Sequence, residues 1–362
     1  MHILHIYKDY YPVLGGIENH IKVLAEAHVA MGHQVTALVC NPGKITQIDT
    51  LNGVQIIKSG RLTTLASMPL SIRQPLSLMQ LRPDIAHLHS PYPLGEAAQW
   101  LLGRAKATVI TYHSDVVRQK NLLRIYGPIL QRVLRSVDRV LPTSPRYIES
   151  SPWLRPVRDK CTVVPLAVDT TRFTPSLTQR QDPLALLFVG RLRYYKGLDV
   201  LLRALPNIPD AHLTVVGDGP MEEIWQALAV ELNISDRVTF TSEVSDDALP
   251  GYYHQADVFV LPANARSEAF GTVLLEAMAS GLPCITTELG TGTSWVVQDS
   301  VTGYVIPPND SQALAQAVNK LATDEAWRQK LGQASFNRAT TTFTEPIMVE
   351  NVIRVYNDLL AR

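Results

Sequence analysis

Two glutamates lie in residues 267–283, SEAFGTVLLEAMASGLP, at a spacing that would let their carboxylates bind two parts of one ligand. Glu268 lies in a polar loop, whereas Glu276 lies eight positions later in a run of good helix formers that ends at Gly281 and Pro283. A rise of about 1.5 Å per helical residue separates the two carboxylates by roughly 10 Å. This separation fits one acid beside a hexose and the other on ribose hydroxyls, and it therefore predicts a nucleotide-sugar site.

The beginning of the same helix predicts an anion site. The N–H groups of Phe270, Gly271 and Thr272 in its first turn lack helical partners, and Gly271 has no side chain. A phosphate can therefore come close to the positive end of the helix dipole. The alternative interpretation is a solvated helix that carries two surface glutamates, and the choice between the two depends on the rest of the chain.

The elements that position these residues alternate between strand and helix. A buried strand over residues 2–7 is followed by a glycine turn and an amphipathic helix, and several further strands follow in the same manner. This alternation predicts a parallel α/β sheet, in which ligands collect at the carboxyl ends of the strands. Gly15, Gly16, His89 and His113 all lie at such ends.

A second α/β series predicts a second domain. Residues 161–176 are expected to contain the last strand of the first half and a proline-rich exit, and residues 174–183 form a polar, proline-containing linker. We predict two doubly wound, Rossmann-like lobes that face each other across a deep cleft, at residues 1–174 and 175–344. An amphipathic final helix at residues 345–362 is expected to pack back onto the first lobe.

Bulk properties restrict the class of protein. A chain of 362 residues with 46% hydrophobic and 18% charged residues is typical of a soluble two-domain protein. Because no apolar run reaches spanning length and no leader pattern is present, we expect a cytoplasmic protein. Cys40, Cys161 and Cys284 lack metal-ligand spacing and predict reduced core thiols.

Basic residues are concentrated in the first half. Residues 1–175 contain 20 lysines and arginines against 11 acidic residues, whereas residues 176–362 contain 13 against 22. Residues 115–140 predict a basic amphipathic helix pair, broken at Gly127 and Pro128. This pair either lies on anionic lipid or packs its apolar face in the core and exposes its basic face. The candidate membrane or acceptor contacts are Arg118, Lys120 and Arg124.

The sequence lacks the motifs of several other classes of enzyme and of metal sites. The chain has no GxGxxG fingerprint and no GxxxxGK[ST] loop, and the Gly290–Gly292 pattern lacks its third glycine. His87 and His89 share one face of a strand without an obvious third metal ligand. Asp246 and Asp247 are interpreted as a loop or helix cap. We therefore disfavour a dehydrogenase, a P-loop NTPase and a metal site.

Five segments in order resemble one family. The segments GGIENHIKVLAEAHVAMGHQV, TYHSD, FVGRLRYYKG, VVGDGP and SEAFGTVLLEAMASGLP resemble the retaining GT-B glycosyltransferases of family 4, and the resemblance covers nearly the whole chain. It implies transfer of a hexose from a nucleotide-diphosphate sugar to a hydroxyl, with retention at the anomeric carbon. It also implies that the enzyme needs neither a metal nor another cofactor.

The resemblance also implies roles for individual residues. His113 would hydrogen-bond the transferred sugar, and Arg191 and Lys196 would neutralise the leaving diphosphate. Glu268 would hold the hydroxyls of the sugar, and Glu276 would accept hydrogen bonds from the ribose. The remaining donor-binding residues are expected to be Gly15, Gly16, Gly190, Gly217, Asp218, Phe270, Gly271 and Thr272.

The family pattern is not complete. A GTGTSWV segment replaces the usual Gly-Gly-x-x-Glu loop and has Ser294 near the usual glutamate, and Ser242 occupies a position where glycine is common. Segments 111–128 and 287–296 most resemble mannosyl- or rhamnosyltransferases that build cell-surface polysaccharide. The expected donor is GDP-mannose or a UDP-sugar.

The resemblance also suggests partners and leaves two alternatives open. The expected acceptor is a lipid-linked glycan or glycolipid, nucleic acid is not an expected partner, and the chain is expected to be cytoplasmic with peripheral contact to an anionic membrane surface. One alternative is another GT-B enzyme, such as an epimerase or phosphorylase. The other is a non-catalytic nucleotide-sugar-binding scaffold.

Overall fold

The structure is a computed structural model that describes residues 1–13, 15–65, 68–116, 120–176 and 183–361. It divides into two compact units. The first unit comprises Met1–Leu166 and Glu345–Arg362, and the second comprises Ala167–Thr344. The final helix is therefore part of the first unit, and the chain passes from one unit to the other twice.

The secondary structure alternates between strands and helices along nearly the whole chain. The strands are β1 (His2–Ile6), β2 (Gln34–Cys40), β3 (Gln47–Leu51), β4 (Val54–Ser59), β5 (Thr63–Leu65), β6 (Met68–Leu70), β7 (Ile85–Ser90), β8 (Ala107–Tyr112), β9 (Arg139–Pro142), β10 (Leu184–Val189), β11 (Ala211–Val216), β12 (Val238–Phe240), β13 (Val258–Leu261), β14 (Cys284–Thr287) and β15 (Gly303–Ile306). The helices are α1 (Gly16–Ala30), α2 (Arg73–Gln80), α3 (Pro93–Leu102), α4 (Lys120–Ser136), α5 (Pro145–Ser150), α6 (Leu198–Ala204), α7 (Glu222–Glu231), α8 (Leu249–His254), α9 (Thr272–Ala279), α10 (Thr293–Val296), α11 (Ser311–Thr323), α12 (Glu325–Thr342) and α13 (Glu345–Leu360).

The main sheet of the first unit has the strand order β3-β4-β2-β1-β7-β8-β9. All neighbours pair in parallel except β3, which pairs antiparallel to β4 at the edge. A separate antiparallel pair is formed by β5 and β6. The order of the sheet reverses between β1 and β7, so the loops after these two strands flank the position where doubly wound sheets bind ligands.

The sheet of the second unit has the order β12-β11-β10-β13-β14-β15 and is parallel throughout. Its central strands β10 and β13 are short apolar runs that are buried on both faces, as parallel sheets require. The order reverses between β10 and β13. The two units therefore repeat one architecture, the doubly wound α/β sheet that alternating periodicity predicts.

Two local predictions were wrong. Residues 161–176 do not contain a strand, because Cys161 and Val168 make isolated bridges only and Pro165 between them has no N–H to donate. The predicted break at Gly127 and Pro128 is absent, since α4 continues through both residues. The buried apolar face of α4 holds the helix together there, and a Cβ on Gly127 would come within 2.6 Å of the Trp153 ring.

The three cysteines are free, and Cys40 and Cys284 are buried, as the sequence predicts. The short strands β3, β5, β6 and β15 were not predicted. Within the described residues, no helix combines the length and the apolar character needed to cross a bilayer.

Candidate functional site

Two predicted site residues lie together where the strand order of the second sheet reverses, between β10 and β13; we call this position the second switch point. Lys196 follows β10 and Glu268 follows β13, and the Lys196 Nζ atom lies 2.7 Å from Glu268 Oε2. Their side chains are only 11% and 10% exposed. The two loops are joined by the backbone N–H of Asn264, which donates to the carbonyl of Tyr195 at 2.9 Å. The sheet order, and not their separation in the sequence, makes these side chains neighbours.

The charge on Lys196 is stabilised in place. Burial alone would lower the pKa of its ammonium group, but the charge and hydrogen bond of Glu268, together with Tyr195 and Glu276, outweigh this effect and raise the pKa. Lys196 is therefore a fixed cation at neutral pH. The Arg191 side chain is exposed and makes no ion pair with the part of the chain that the structure describes, so its donors are available to an anion.

Glycines allow the backbone of this region to pack closely. Gly190 and Gly217 have φ values of 138° and 124°, which favour glycine. A Cβ on Gly217 would lie 2.4 Å from the Gly190 carbonyl oxygen, and a Cβ on Gly190 would lie 3.3 Å from Lys196 Nζ. The carbonyl of Asp218 accepts a hydrogen bond from the N–H of Leu192 at 2.6 Å. Gly190, Gly217 and Asp218 therefore belong to the same strand-end cluster as Lys196.

The helix of the second glutamate begins where the sequence predicts. Gly271 is the N-cap of α9 with φ 78°, Thr272 is the first helical residue, and Phe270 before them is buried. Glu276 lies within α9, and burial raises the pKa of its carboxyl group, an effect that a hydrogen bond from Tyr253 opposes. The hydroxyl of Tyr253 donates to Glu276 Oε2 at 2.7 Å.

Tyr253 is a functional candidate that the sequence did not reveal. The sequence pattern around Tyr252 and Tyr253 indicates packing residues and no catalytic or binding role. The only signal available was the helical position of Tyr253 in α8, which does not specify which strand or helix the ring faces.

The unusual GTGTSWV segment supports the Glu268 loop. Thr291 Oγ1 donates to the carbonyl of Glu268 at 2.9 Å, and the N–H of Gly292 donates to the carbonyl of Ala269 at 2.7 Å. Ser294 Oγ donates to Glu288 Oε1 at 2.9 Å, so a carboxylate is present beside this segment, although not at position 294. The segment that departs from the family pattern therefore contacts the backbone of the Glu268 loop.

In the first unit, Gly15 and Gly16 lie at the beginning of α1. Gly15 has extended backbone geometry, and a Cβ there would come within 2.2 Å of the Glu18 carboxylate. Nothing lies within 4 Å of a Cβ placed on Gly16. Burial raises the pKa of Glu18, and Lys8 Nζ lies 4.0 Å from its carboxylate. The Glu18 carboxylate therefore lies directly against Gly15, whereas Gly16 faces open space.

His113 lies directly after β8 and is 4% exposed. Its backbone N–H donates to the carbonyl of Ser90 at 3.0 Å, and its Nε2 atom lies 3.3 Å from His89 Nδ1. Its Nδ1 atom has no hydrogen-bond partner among the described residues. Burial lowers the pKa of the His113 ring, which is therefore neutral at physiological pH.

A group of six buried histidines surrounds this position, and we refer to it as the histidine cluster: His5, His20, His28, His87, His89 and His113. Two triplets within it, His5–His87–His89 and His20–His89–His113, have ligand nitrogens within 4.8 Å of one another. The sequence alone shows no third ring beside His87 and His89. Their alternation on β7 was visible, but the adjacency of β1 and α1 was not.

The predicted membrane contacts occupy the region around the beginning of α4. Arg118 lies outside the described residues, Lys120 is the first residue of α4, and Arg124 is exposed. The apolar side of α4, including Tyr126, Leu130 and Val133, is buried within the unit. The helix therefore exposes a basic face and packs its apolar face in the core.

Comparisons with known proteins identify relatives over the full length. A family model described as glycosyl transferases group 1 matches residues 169–338, and one described as glycosyltransferase family 4 matches residues 14–172. The chain is 35% identical to the O-antigen chain mannosyltransferase C of Escherichia coli, over 99% of each chain. It is 34% identical to the D-rhamnosyltransferase WbpZ of Pseudomonas aeruginosa, over 95% of this chain and 92% of that protein.

A solved structure shares the fold. The sucrose-phosphate synthase of Thermosynechococcus elongatus superposes with a TM-score of 0.80 at 24% identity, with 99% of each chain covered. Together with the two doubly wound sheets, this likeness confirms the GT-B fold that the resemblance implied.

Proposed function

Because this chain belongs to the family 4 glycosyltransferases, with a group 1 domain in its second half, we propose that it transfers a mannosyl or related hexosyl group from a nucleotide-diphosphate sugar. The acceptor is a hydroxyl of a lipid-linked glycan in cell-surface polysaccharide synthesis. The mannosyl- and rhamnosyltransferase names of two full-length relatives support this substrate class. GDP-mannose is the first donor to test, and UDP-sugars are the alternative.

The ion pair at the second switch point is the observation that supports this role most directly. An ammonium group has three N–H donors, so Lys196 can hold Glu268 with one and still offer two to diphosphate oxygens. Arg191 adds a second cation from the same loop, and the first turn of α9 adds backbone donors. The carboxylate of Glu268 remains positioned to accept hydrogen bonds from hydroxyls of the sugar.

Transfer is proposed to proceed with retention and without a metal. As the bond from the anomeric carbon to the diphosphate breaks, negative charge grows on the leaving phosphate, and Lys196 and Arg191 stabilise it. The acceptor hydroxyl attacks the same face and gives its proton to the leaving phosphate oxygen. Glu276 binds the ribose, with Tyr253 holding its carboxylate in place, and His113 contacts the transferred sugar.

The acceptor side is assigned to the first unit. Its basic surplus and the exposed basic face of α4 fit the anionic carrier of a lipid-linked glycan. We assign the protein to the cytoplasm, with peripheral contact to the inner face of the membrane. Arg118, Lys120 and Arg124 are the proposed contacts.

A thermal-shift panel tests the donor. GDP-mannose, UDP-glucose, UDP-GlcNAc, dTDP-rhamnose and the bare nucleotides are added to the wild type, Glu276→Gln and the control Tyr252→Phe. A ligand at about 100 times its dissociation constant adds about 2.7 kcal/mol of stability. We expect a shift with one base family that is lost in Glu276→Gln and kept in Tyr252→Phe. No shift with any donor would contradict the proposal.

The scaffold alternative makes a different prediction. A binding protein on this fold would show the same thermal shift but no turnover of the bound donor. Release of the nucleoside diphosphate in the presence of a lipid-linked acceptor extract, measured with and without Glu268→Gln, distinguishes the two. Release that depends on Glu268 supports the transferase.

A further inference from the structure

A pocket of about 320 Å³ opens in the second unit between α8 and one face of β10 and β11. The register pairs Ala185 with His212 and Leu187 with Thr214, so these four side chains share that face and form the floor. Ala185, His212 and Thr214 are partly exposed. An imidazole and a hydroxyl on a strand that is otherwise apolar indicate that this part of the sheet faces solvent.

The wall of the pocket is α8. Tyr252 and Gln255 lie three residues apart, so their side chains share one face of the helix, and both line the pocket. The Tyr252 ring is partly exposed, whereas the neighbouring Tyr253 is fully buried and donates its hydroxyl to Glu276. The two adjacent tyrosines therefore belong to different sites.

The pocket offers several polar groups that the protein does not use. Within the described part of the chain, the hydroxyls of Tyr252 and Thr214 and the amide of Gln255 have no hydrogen-bond partner. His212 places its Nε2 atom 2.8 Å from Thr239 Oγ1 and leaves Nδ1 without a partner there. Hydroxyls and an amide both donate and accept hydrogen bonds. The pocket thus combines an apolar floor, one aromatic ring and a set of available donors and acceptors.

The lining is also free of fixed charge. None of the residues around the pocket is Asp, Glu, Lys or Arg, although residues 176–362 contain 22 acidic and 13 basic residues. A phosphate, a carboxylate or an ammonium group would lose its hydration here without gaining a counter-charge. The lining therefore disfavours nucleotides, acidic sugars and charged peptides.

An uncharged saccharide fits these properties. The C–H face of a sugar ring packs against the Tyr252 ring and the aliphatic floor, and its hydroxyls exchange hydrogen bonds with Thr214, Gln255 and His212. The volume lies at the lower end of the range for small-molecule sites, about 300–1,000 Å³. The pocket therefore holds a short stretch of sugar and not a long chain.

We propose that this pocket is a second saccharide site, which binds an uncharged stretch of the glycan that the protein extends. Ala185 lies near the beginning of β10, whereas Gly190 follows its end, and a rise of about 3.3 Å per residue separates them by about 16 Å. The pocket is therefore distinct from the donor site. The identity of the glycan rests on the proposed function, but binding of neutral saccharides does not.

Methyl NMR of the full-length protein tests the pocket directly. Alanine, leucine and threonine are labelled with ¹³C in their methyl groups, so that Ala185, Leu187 and Thr214 report on the floor. The protein is titrated with mannotriose, maltotriose and an α-linked trirhamnoside. We expect at least one of them to shift these methyl signals with a dissociation constant in the millimolar range. No shift of these signals with any of the three would overturn the inference.

Variants locate the binding. Tyr252→Ala and Gln255→Ala should each weaken trisaccharide binding about tenfold, because they remove the stacking ring and an amide. Gln226→Ala is the matched control, since it removes an exposed amide from α7, outside the pocket. It should leave the affinity unchanged. Because Gln255 is exposed, its variant keeps the core intact and decides the question even if Tyr252→Ala does not fold. Unchanged affinity in Gln255→Ala would overturn the inference.

Further ligands test the chemical class and separate the pocket from the proposed function. Trigalacturonate, guanosine and GDP should not shift the methyl signals of the floor, and a shift as large as that of the neutral trisaccharide would overturn the assignment. Thermal shift with GDP-mannose should be the same in Gln255→Ala and the wild type. If the proposed function fails, no donor binds while the trisaccharide still does. If the inference fails, the donor binds and the methyl signals do not move.

Discussion

The ammonium group of Lys196 and the carboxylate of Glu268 lie 2.7 Å apart, although they belong to loops that follow two different strands. The strands β10 and β13 are neighbours because the sheet order reverses between them. The pair raises the pKa of Lys196 above 10.5, so its contribution to stability is complete at neutral pH and is lost only as the pH rises beyond that value. Over the working range of pH, the pair behaves as a constant feature of the site.

The first prediction concerns this pair. Glu268→Gln and Lys196→Met should each lower turnover by about 100-fold or more, because Lys196 meets the negative charge that grows on the leaving diphosphate and Glu268 holds hydroxyls of the transferred sugar. Lys196→Met should also lower the free energy of unfolding by about 2 kcal/mol, because it leaves the buried Glu268 carboxylate without its cationic partner. Steady-state kinetics and urea unfolding measure the two effects.

The control for this pair is Arg193→Met, which removes an exposed cation from the same loop. It should change turnover less than about threefold and leave stability unchanged. The double variant Lys196→Met/Glu268→Gln should be more stable than Lys196→Met alone. Strictly additive changes in stability would show that the two groups do not interact.

The second prediction concerns Tyr253 and Glu276. Tyr253→Phe removes the hydrogen bond to the carboxylate and should weaken nucleotide binding about tenfold, while Tyr252→Phe should not. Without that bond the pKa of Glu276 should rise further, so binding should decline at a higher pH than in the wild type as the solution is acidified. Calorimetric titration with GDP between pH 8 and pH 5 measures both effects, and identical pH profiles would count against the assignment.

The third prediction concerns Ser242, which has φ 57° in the left-handed region where side chains are strained. Ser242→Gly should raise the free energy of unfolding by about 0.5–1 kcal/mol, because glycine adopts this backbone without strain. Ser242→Ala is the control, since it retains the Cβ and loses only the hydrogen bond to Glu222. It should be no more stable than the wild type. Urea unfolding compares the three proteins, and equal stability would rule out backbone strain at this position.

The fourth prediction concerns pH and His28. Burial lowers the pKa of its ring from 6.5 to about 4 in the folded protein. Below pH 6.5 the His28 ring is protonated in the unfolded chain but stays neutral in the folded chain. This residue therefore lowers the free energy of unfolding as the pH falls from 6.5 towards 4. His28→Phe should remove about 1 kcal/mol of the stability change between pH 7.5 and pH 5.5.

Urea unfolding at the two pH values isolates this effect, because other titrating groups cancel in the difference between variant and wild type. One of those groups is Glu96, whose pKa burial raises to about 7 and whose effect has the opposite sign. His33→Gln, at a partly exposed ring, should give a smaller change than His28→Phe. If His28→Phe and the wild type show the same change, His28 is not buried as a neutral ring.

The fifth prediction concerns the membrane. Replacement of Arg118, Lys120 and Arg124 by glutamine should weaken binding to vesicles containing anionic phospholipid by more than tenfold, since each basic residue near such a surface contributes about 1 kcal/mol. Binding should also weaken with added salt. Vesicle sedimentation measures this effect.

A control for the membrane prediction changes the same number of charges elsewhere in the first unit. Lys44, Arg104 and Arg155 are exposed, and their replacement by glutamine should leave vesicle binding close to that of the wild type. If the wild type and both triple variants sediment equally with the vesicles, the proposed membrane contact is wrong. In that case α4 is a core-facing helix with a solvated basic face.

The sequence predicts which loops carry the chemistry better than it predicts which side chains meet. Apolar runs locate β10 and β13, and helix formers and two glycines locate α9, because these signals are local. The pairing of Lys196 with Glu268 depends on strand order, which no local pattern encodes. The same limit applies to Tyr253, because the periodicity of α8 shows that one face is buried but not what it touches.

The histidine cluster illustrates this limit further. His20 and His28 lie on one face of α1, and His87 and His89 lie on one face of β7, so each pair could be read from periodicity. Their convergence with His5 requires that β1 and β7 be neighbours under α1. The error at Pro128 has a related cause, because tertiary packing along α4 outweighs a residue that normally interrupts a helix.

The helix α13 belongs to the first unit although the whole second unit precedes it in the chain. Its Tyr356 hydroxyl completes the hydrogen bonding of His87. A ribosome must therefore synthesise the entire second unit before Tyr356 can reach His87 on β7. The order of synthesis therefore leaves the first unit without its final helix until the whole second unit has been made.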